Sequence, residues 1–139
     1  MPGTTRFSTK RIRPAKVLAV DDEPGVRDLL RRLLREEGIE ADVVGSGREA
    51  VRLLETENYV LAVVDLRMPE WDGVTTIKAI EQGCPGIPIL VVTGVNDPDL
   101  HQRVRSHKAV VDVMKKPFEN RDLVERIRRV LQERPSPAR

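Results

Sequence analysis

The chain is 139 residues long, 40% hydrophobic and 33% charged, a size that builds one domain around one core and excludes a multidomain machine. A single cysteine, Cys84, excludes an internal disulfide, and no apolar run approaches the ~20 residues that cross a bilayer, which points to a reducing, cytoplasmic setting with no membrane contact. The net charge of +2 belongs to the ends: Arg6, Lys10, Arg11, Arg13, Arg134 and Arg139 are six of the 24 bases, which leaves 18 against all 22 acids in residues 15 to 133, about −4.

That balance excludes a basic nucleic-acid-binding core, and one Trp, one Tyr and two Phe are too few for a stacking platform for single strands. Residues 1 to 14 are polar and basic without the apolar stretch of a secretory signal. They form a flexible basic segment, residues 15 to 133 a folded domain, and residues 134 to 139 a Pro-containing tail or the start of a linker.

Lys16 to Val20 is a short β-branched strand. Pro24 then opens a helix whose stripe of Val26, Leu29, Leu30, Leu33 and Leu34 repeats at helical spacing, with Gly38 placed to end it. The same alternation follows: strand near Glu40 to Val44, helix near Arg48 to Thr56, strand Tyr59 to Val64, helix near Val74 to Gln82, strand Ile87 to Val92. A helix near Pro98 to Ser106, a strand Val110 to Val113 and a final helix from about Asn120 to Glu133 complete it. Five strands alternating with five helices predict an α/β domain, a parallel sheet covered on both faces. YVLAVV and IPILVV, apolar on both faces, are expected at its centre; the more polar EADVV is expected at an edge. The fourth helix has a thin apolar stripe, Leu100 and Val104, and is expected to be comparatively exposed.

Ligands of open parallel sheets bind beyond the carboxyl ends of the strands, where chain order reverses. The first strand ends in Asp21-Asp22-Glu23, the third in Asp65, the fourth in Thr93-Gly94, and the fifth runs into Lys116-Pro117. The second ends in Gly45-Ser46-Gly47, without an ionisable side chain, which fits an order 2-1-3-4-5 that sets it beside the site. Asp21, Asp22 and Asp65 then converge with Lys116 on one crevice. Three carboxylates together repel, and a hard divalent cation relieves that repulsion. An all-oxygen donor set favours Mg²⁺, with Mn²⁺ as an option, over zinc. A metal-held phosphate beside Asp65 makes that carboxylate the nucleophile, with Lys116, the Thr93 hydroxyl and nearby amides neutralising the transferring group.

These residues resemble a receiver domain of two-component response regulators. The resemblance runs from about Ala15 to Glu133 and is carried by VDDE at 20 to 23, DLRMPEWDG at 65 to 73, VVTG at 91 to 94 and KKPF at 115 to 118, in order and at these separations. It implies a flavodoxin-like, doubly wound five-stranded sheet of order 2-1-3-4-5 with five helices. It implies that Asp65 accepts a phosphoryl group from a sensor histidine kinase or phosphotransfer protein, and that Asp22, Asp65 and the backbone carbonyl of Arg67 bind Mg²⁺ with Asp21 assisting through water. Lys116 is implied to pair with the phosphoryl group and to form a cis bond with Pro117. The protein is then a switch rather than an enzyme, with an unidentified effector domain or partner protein as its output. Relatives use the fourth helix, fifth strand and fifth helix for output or dimerisation, and Leu100, Val104 and Val113 are candidates for that surface.

Val113 departs from the family, which has Tyr or Phe there, and Arg67 and Val95 flank the approach of hydrolytic water and are expected to set the phosphoryl lifetime. Met68, Pro69 and Gly73 are read as loop geometry, with glycine allowing positive φ. His101 and His107 are read as surface histidines, Trp71 as a local packing residue and Cys84 as a passive loop thiol. Arg27, Arg31, Arg32 and Arg35 are read as a solvated face paired with Asp28, Glu36 and Glu37, with kinase docking as a second role. Three other functions compete. A phosphohydrolase with an aspartyl-phosphate intermediate commonly has an acid where Arg67 stands. An FMN carrier needs a Gly- and Ser-rich turn where Asp21-Asp22-Glu23-Pro24 stands. A degenerate receiver acting only as a binding module would not need the phosphorylation residues, all of which are present.

Overall fold

The computed structural model describes residues 16–67 and 71–133. The expectations for Met68, Pro69 and both terminal segments lie outside the described residues.

Ten elements alternate: β1 (Lys16–Val20), α1 (Pro24–Glu36), β2 (Glu40–Val44), α2 (Gly47–Leu54), β3 (Tyr59–Val64), α3 (Gly73–Gly83), β4 (Ile89–Thr93), α4 (Pro98–Arg105), β5 (Val110–Lys115) and α5 (Asn120–Glu133). The five strands form one parallel sheet in the order β2-β1-β3-β4-β5. This is the predicted order, with the polar β2 at an edge and β3 in the middle. β4 starts two residues later than Ile87 because Pro88 has no N–H to give to a ladder; its carbonyl still accepts from Ala62 at 3.0 Å.

Side chains alternate across each strand, so the sheet has two cores. Val17, Ala19, Leu61, Val63, Leu90 and Val92 pack under α1 and α5, against Leu30, Leu34, Leu123 and Ile127. Leu18, Val20, Ala62, Val64, Ile89 and Val91 pack under the other helices, against Ala50, Ile77, Ile80 and Val104. Only β-branched and aliphatic residues meet both demands at once, which is why β3 and β4 are nearly all Val, Ile, Leu and Ala. α4 buries Val104 alone, in keeping with its thin stripe.

Local chemistry sets the helix ends. Ser46 accepts Glu49 N–H at 3.2 Å and Asp72 accepts Thr75 N–H at 2.8 Å, each satisfying a donor that the first turn leaves open. Asp97 caps α4 through the N–H groups of Asp99 and Leu100, at 3.1 and 3.3 Å. Gly38, past the end of α1, takes a φ of 74°, which a side chain would resist. Gly73 has a different reason to be glycine from the positive φ expected. It opens α3 against the chain that leaves β3, and a Cβ there would stand 2.5 Å from Leu66 Cα and 2.9 Å from Leu66 O.

Candidate metal and phosphoacceptor site

Register brings the acids together. Val20 is level with Val44 on one side and with Val64 on the other. The ladder then runs one residue further: Asp21 N–H donates to Val44 O at 3.1 Å, and Asp65 N–H donates to Val20 O at 3.0 Å. Asp21 and Asp65 therefore leave adjacent strands at the same height, buried at 3% and 4% exposure. Asp22 follows at the half-buried rim. One carboxylate oxygen from each of Asp21, Asp22 and Asp65 lies within 4.8 Å of the others. On the far side, Lys116 N–H donates to Thr93 O at 2.8 Å, which carries β5 past the end of β4 and brings the lysine over the acids.

Lys116 Nζ lies 2.8 Å from Asp21 Oδ2, 3.0 Å from Glu23 Oε1 and 3.6 Å from Asp65 Oδ2. Its nearest partner is thus Asp21 rather than Asp65, and Glu23 joins the site as an acid that the sequence reading left unassigned. The only signal for Glu23 was its place in the run after β1. Asp21 Oδ1 also accepts Glu23 N–H at 2.9 Å, so the acidic run turns on its own first side chain. Arg67 N–H donates to Asp65 Oδ1 at 3.2 Å. Asp22, Glu23, Asp65, Arg67, Gly94 and Lys116 line a crevice of about 440 Å³.

The electrostatics follow from this geometry. Burial pushes the Asp65 carboxyl up to about 6, helped by the charges of Asp21 and Asp22 and opposed by the Arg67 N–H and the Lys116 ammonium. Burial pulls Lys116 down, but its hydrogen bonds to Asp21 and Glu23 and the charge of Asp65 more than offset it, leaving the ammonium above the usual lysine value. One ammonium thus faces Asp21, Glu23 and Asp65, with the Asp22 carboxylate beside the other two aspartates. That surplus of negative charge, with oxygen donors only, fits a hard divalent cation.

Thr93 is fully buried, and its Oγ1 accepts Val95 N–H at 2.9 Å, which leaves the hydroxyl proton free to donate. Among the sequence candidates, Asp21, Asp22, Asp65 and Lys116 meet and Arg67 lines the crevice, whereas Thr93 is buried and it is the next residue, the exposed Gly94, that lines it. The Lys116–Pro117 bond is cis.

Several peripheral residues have more defined partners than expected. His101 Nε2 lies 2.8 Å from Val95 O and His107 Nδ1 lies 3.1 Å from Glu81 Oε1, so both histidines are half-buried ties between elements rather than free surface groups. Asp28 pairs with Arg31 as expected, at 3.1 Å, but Glu37 pairs with Arg128 of α5, and Arg27 reaches inward. Trp71 packs locally, its ring against the backbone of Gly47 at the start of α2. Cys84 is half-buried against the core, and burial pushes its thiol up, away from reactivity. Val113 is buried opposite Val91.

A parallel 2-1-3-4-5 sheet with an acidic crevice between β1 and β3 and a lysine after β5 defines a class, and the comparisons agree with it. The family model described as response regulator receiver domain matches residues 17–128, and the chain belongs to that family. It is similar to the transcriptional regulatory protein CpxR homolog of Haemophilus influenzae, 32% identical over 124 residues that make up 89% of this chain and 53% of that protein. The chain thus spans about half the length of that curated relative. Among solved structures it resembles the chemotaxis response regulator CheY4 of Vibrio cholerae, with a TM-score of 0.76 at 28% identity, covering 84% of this chain and 98% of that one. It also resembles a CheY-like receiver domain protein from Methanospirillum hungatei JF-1, with a TM-score of 0.78 at 29% identity, covering 86% of this chain and 95% of that one. The flavodoxin-like fold and the assignment to two-component systems follow. Among the described residues, no helix is long and apolar enough to cross a membrane.

Proposed function

We propose that the protein is a Mg²⁺-dependent phosphoacceptor, a cytoplasmic switch in which Asp65 takes a phosphoryl group from a sensor histidine kinase or phosphotransfer protein. The observation that carries this reading is the meeting of Asp21, Asp22 and Asp65 within 4.8 Å under a single lysine. Asp21, Asp22, Asp65 and the backbone carbonyl of Arg67 would hold the cation, which when bound supplies positive charge to the phosphoryl oxygens and relieves the repulsion among the acids. An Asp65 oxygen attacks phosphorus, the P–N bond of the donor phosphohistidine breaks, and the imidazole leaves with the electron pair and takes up a proton. Asp65 becomes an acyl phosphate. Lys116, already 3.6 Å from Asp65, turns its ammonium to the new oxygens, and the Thr93 hydroxyl donates its free proton to them.

The phosphoryl group ends on the protein's own Asp65 rather than on a second substrate, so the switch is not an enzyme in the turnover sense. Its output is read by an effector domain or partner protein, with α4, β5 and α5 as the responsive surface and a second copy of the chain as one candidate occupant. Incubation with acetyl phosphate and Mg²⁺, followed by intact-mass analysis, tests the reading. One added phosphoryl group is expected on the wild type and none on Asp65→Asn. No added mass on the wild type under conditions that label a known receiver rejects it. Burial of Val113 where the family has an aromatic ring favours one second reading, a degenerate receiver that only binds partners; stoichiometric labelling rejects that one.

A further inference from the structure

The peptide groups on both sides of Asp21 are held. Its N–H donates to Val44 O at 3.1 Å, and its carbonyl accepts Arg27 Nη1 at 2.9 Å. Arg27 comes from the first turns of α1 and is half-buried, unlike Arg31, Arg32 and Arg35 along the same helix, which are exposed. Its guanidinium lies against the bare backbone of Gly45, at the end of β2: a Cβ on Gly45 would stand 2.8 Å from Arg27 Nη1, 3.3 Å from Cζ and 3.8 Å from Nε. Gly45 has no need of a positive φ, since Gly38 and Gly86 are the glycines that adopt one among the described residues. What its missing side chain provides is the seat for Arg27.

The carbonyl that Arg27 holds belongs to the peptide bond joining Asp21 to Asp22. That unit is planar, so fixing its oxygen fixes the direction in which the chain delivers Asp22. Asp21 itself is secured through its carboxylate by Glu23 N–H and Lys116. For Asp22, the rim acid of the cluster, the peptide that follows is tied through Glu23 N–H to Asp21 Oδ1, and the peptide that precedes is tied through the Asp21 carbonyl to Arg27.

We propose that Arg27, seated on Gly45, is a positioning residue for the cation site: by holding the Asp21 carbonyl it sets the peptide plane that presents the Asp22 carboxylate. The inference rests on the metal-binding reading above. Its sign separates it from plain electrostatics. Arg27 brings positive charge close to a site for positive charge, so by Coulomb's law alone its removal tightens cation binding. Loss of a positioning contact weakens it, and partners one shell out from a metal ligand typically change affinity by about tenfold or more.

The experiment is a Mn²⁺ titration of the full chain, read by the electron paramagnetic resonance signal of the free ion. Four proteins are compared: wild type, Arg27→Ala, Gly45→Ala and the double variant, each checked for a cooperative thermal transition. Gly45→Ala changes no charge, and the methyl group meets only the far end of a flexible side chain, so it displaces the guanidinium without disturbing backbone. Saturable wild-type binding, weakened about tenfold in both single variants and no further in the double, is the expected result. Unchanged or tighter binding in Arg27→Ala, unchanged binding in Gly45→Ala, or additive losses in the double overturns the positioning role alone. A wild type with no saturable Mn²⁺ binding overturns the site reading and this role with it.

Discussion

Replacing Asp65 by Asn removes a charge while keeping shape and one acceptor oxygen, and the consequence for stability can be worked from the site. The Asp65 carboxyl rises from its ordinary 3.8 to about 6 in the folded protein, chiefly through burial. Because the folded value lies above the unfolded one, ionisation is resisted by the fold. Below about pH 4 both states hold the proton and there is no penalty; above about pH 6 both have lost it and the penalty is complete. At ~1.4 kcal/mol per pH unit, the gap corresponds to roughly 3 kcal/mol. Asp65→Asn is therefore expected to be more stable than the wild type by about 3 kcal/mol at pH 8, on the order of 10 °C in Tm, and nearly equal to it at pH 4. Urea denaturation from pH 4 to 8 in chelator, followed by fluorescence of the lone Trp71, measures the difference between the two proteins. Groups that do not interact with Asp65 cancel in that difference. Adding Mg²⁺ at pH 8 to about 100 times its Kd is expected to recover about 2.7 kcal/mol for the wild type and far less for the variant. A stability difference independent of pH, or a variant less stable than the wild type at pH 8, refutes the reasoning.

Lys116→Ala removes the one ammonium facing Asp21, Glu23 and Asp65; acetyl phosphate is expected to label it still, more slowly, while hydrogen exchange in α4 no longer responds to labelling. A variant whose α4 exchange changes on labelling as in the wild type contradicts the assigned role of the lysine. Arg67 lines the crevice and Val95 N–H holds the Thr93 hydroxyl; on the proposed function, Arg67→Asn and Val95→Glu are each expected to change the decay rate of the acyl phosphate, followed by intact mass over time, and equal lifetimes reject that role. Gly73→Ala places a methyl group against Leu66 backbone, where no side chain can yield, and is expected to lower stability by about 1–3 kcal/mol in urea denaturation. An unaffected midpoint would show that the β3–α3 junction moves freely.

Much of the architecture was legible because burial on two faces leaves few residue choices. Tyr59 to Val64 has to be nearly all apolar if helices lie above and below it, and a strand so composed has to be central. The acidic site was legible for a related reason: parallel strands in common register end at the same height, so acids that directly follow strands become neighbours without any further information. What escaped depends on distances between loops. The arginines of α1 share a helical period whether they face water or another loop, and what distinguishes Arg27 from Arg31 is its hydrogen bond to Asp21 O beside the bare backbone of Gly45, which periodicity does not reveal. Glu23 sits in the same run as Asp21 and Asp22, yet its role depends on where Lys116 arrives from β5. Gly73 resembled a turn glycine because close approach to Leu66 leaves no trace in periodicity. The histidines looked free since a carbonyl partner such as Val95 O, available at every residue, has no signature.

The burial that raises Asp65, reinforced by the charges of Asp21 and Asp22, makes the site responsive on the proposed function. An acid cluster compensated by one lysine is held in an unfavourable state by the folding of both cores, and any ligand that adds positive charge relieves it. A ligand moves the equilibrium between two conformations only by its differential stabilisation of one of them. At Asp65 that difference must be expressed through groups that change partner. Lys116 has Asp21, Glu23 and Asp65 to choose among, and Thr93 Oγ1 already accepts the N–H of Val95, whose carbonyl meets His101 of α4. Val113, where the resemblance implies an aromatic ring, is packed in the core. The β4–α4 backbone is therefore a connection with bonds at both ends, and α4, which fully buries Val104 alone, is lightly held by packing against a change in it.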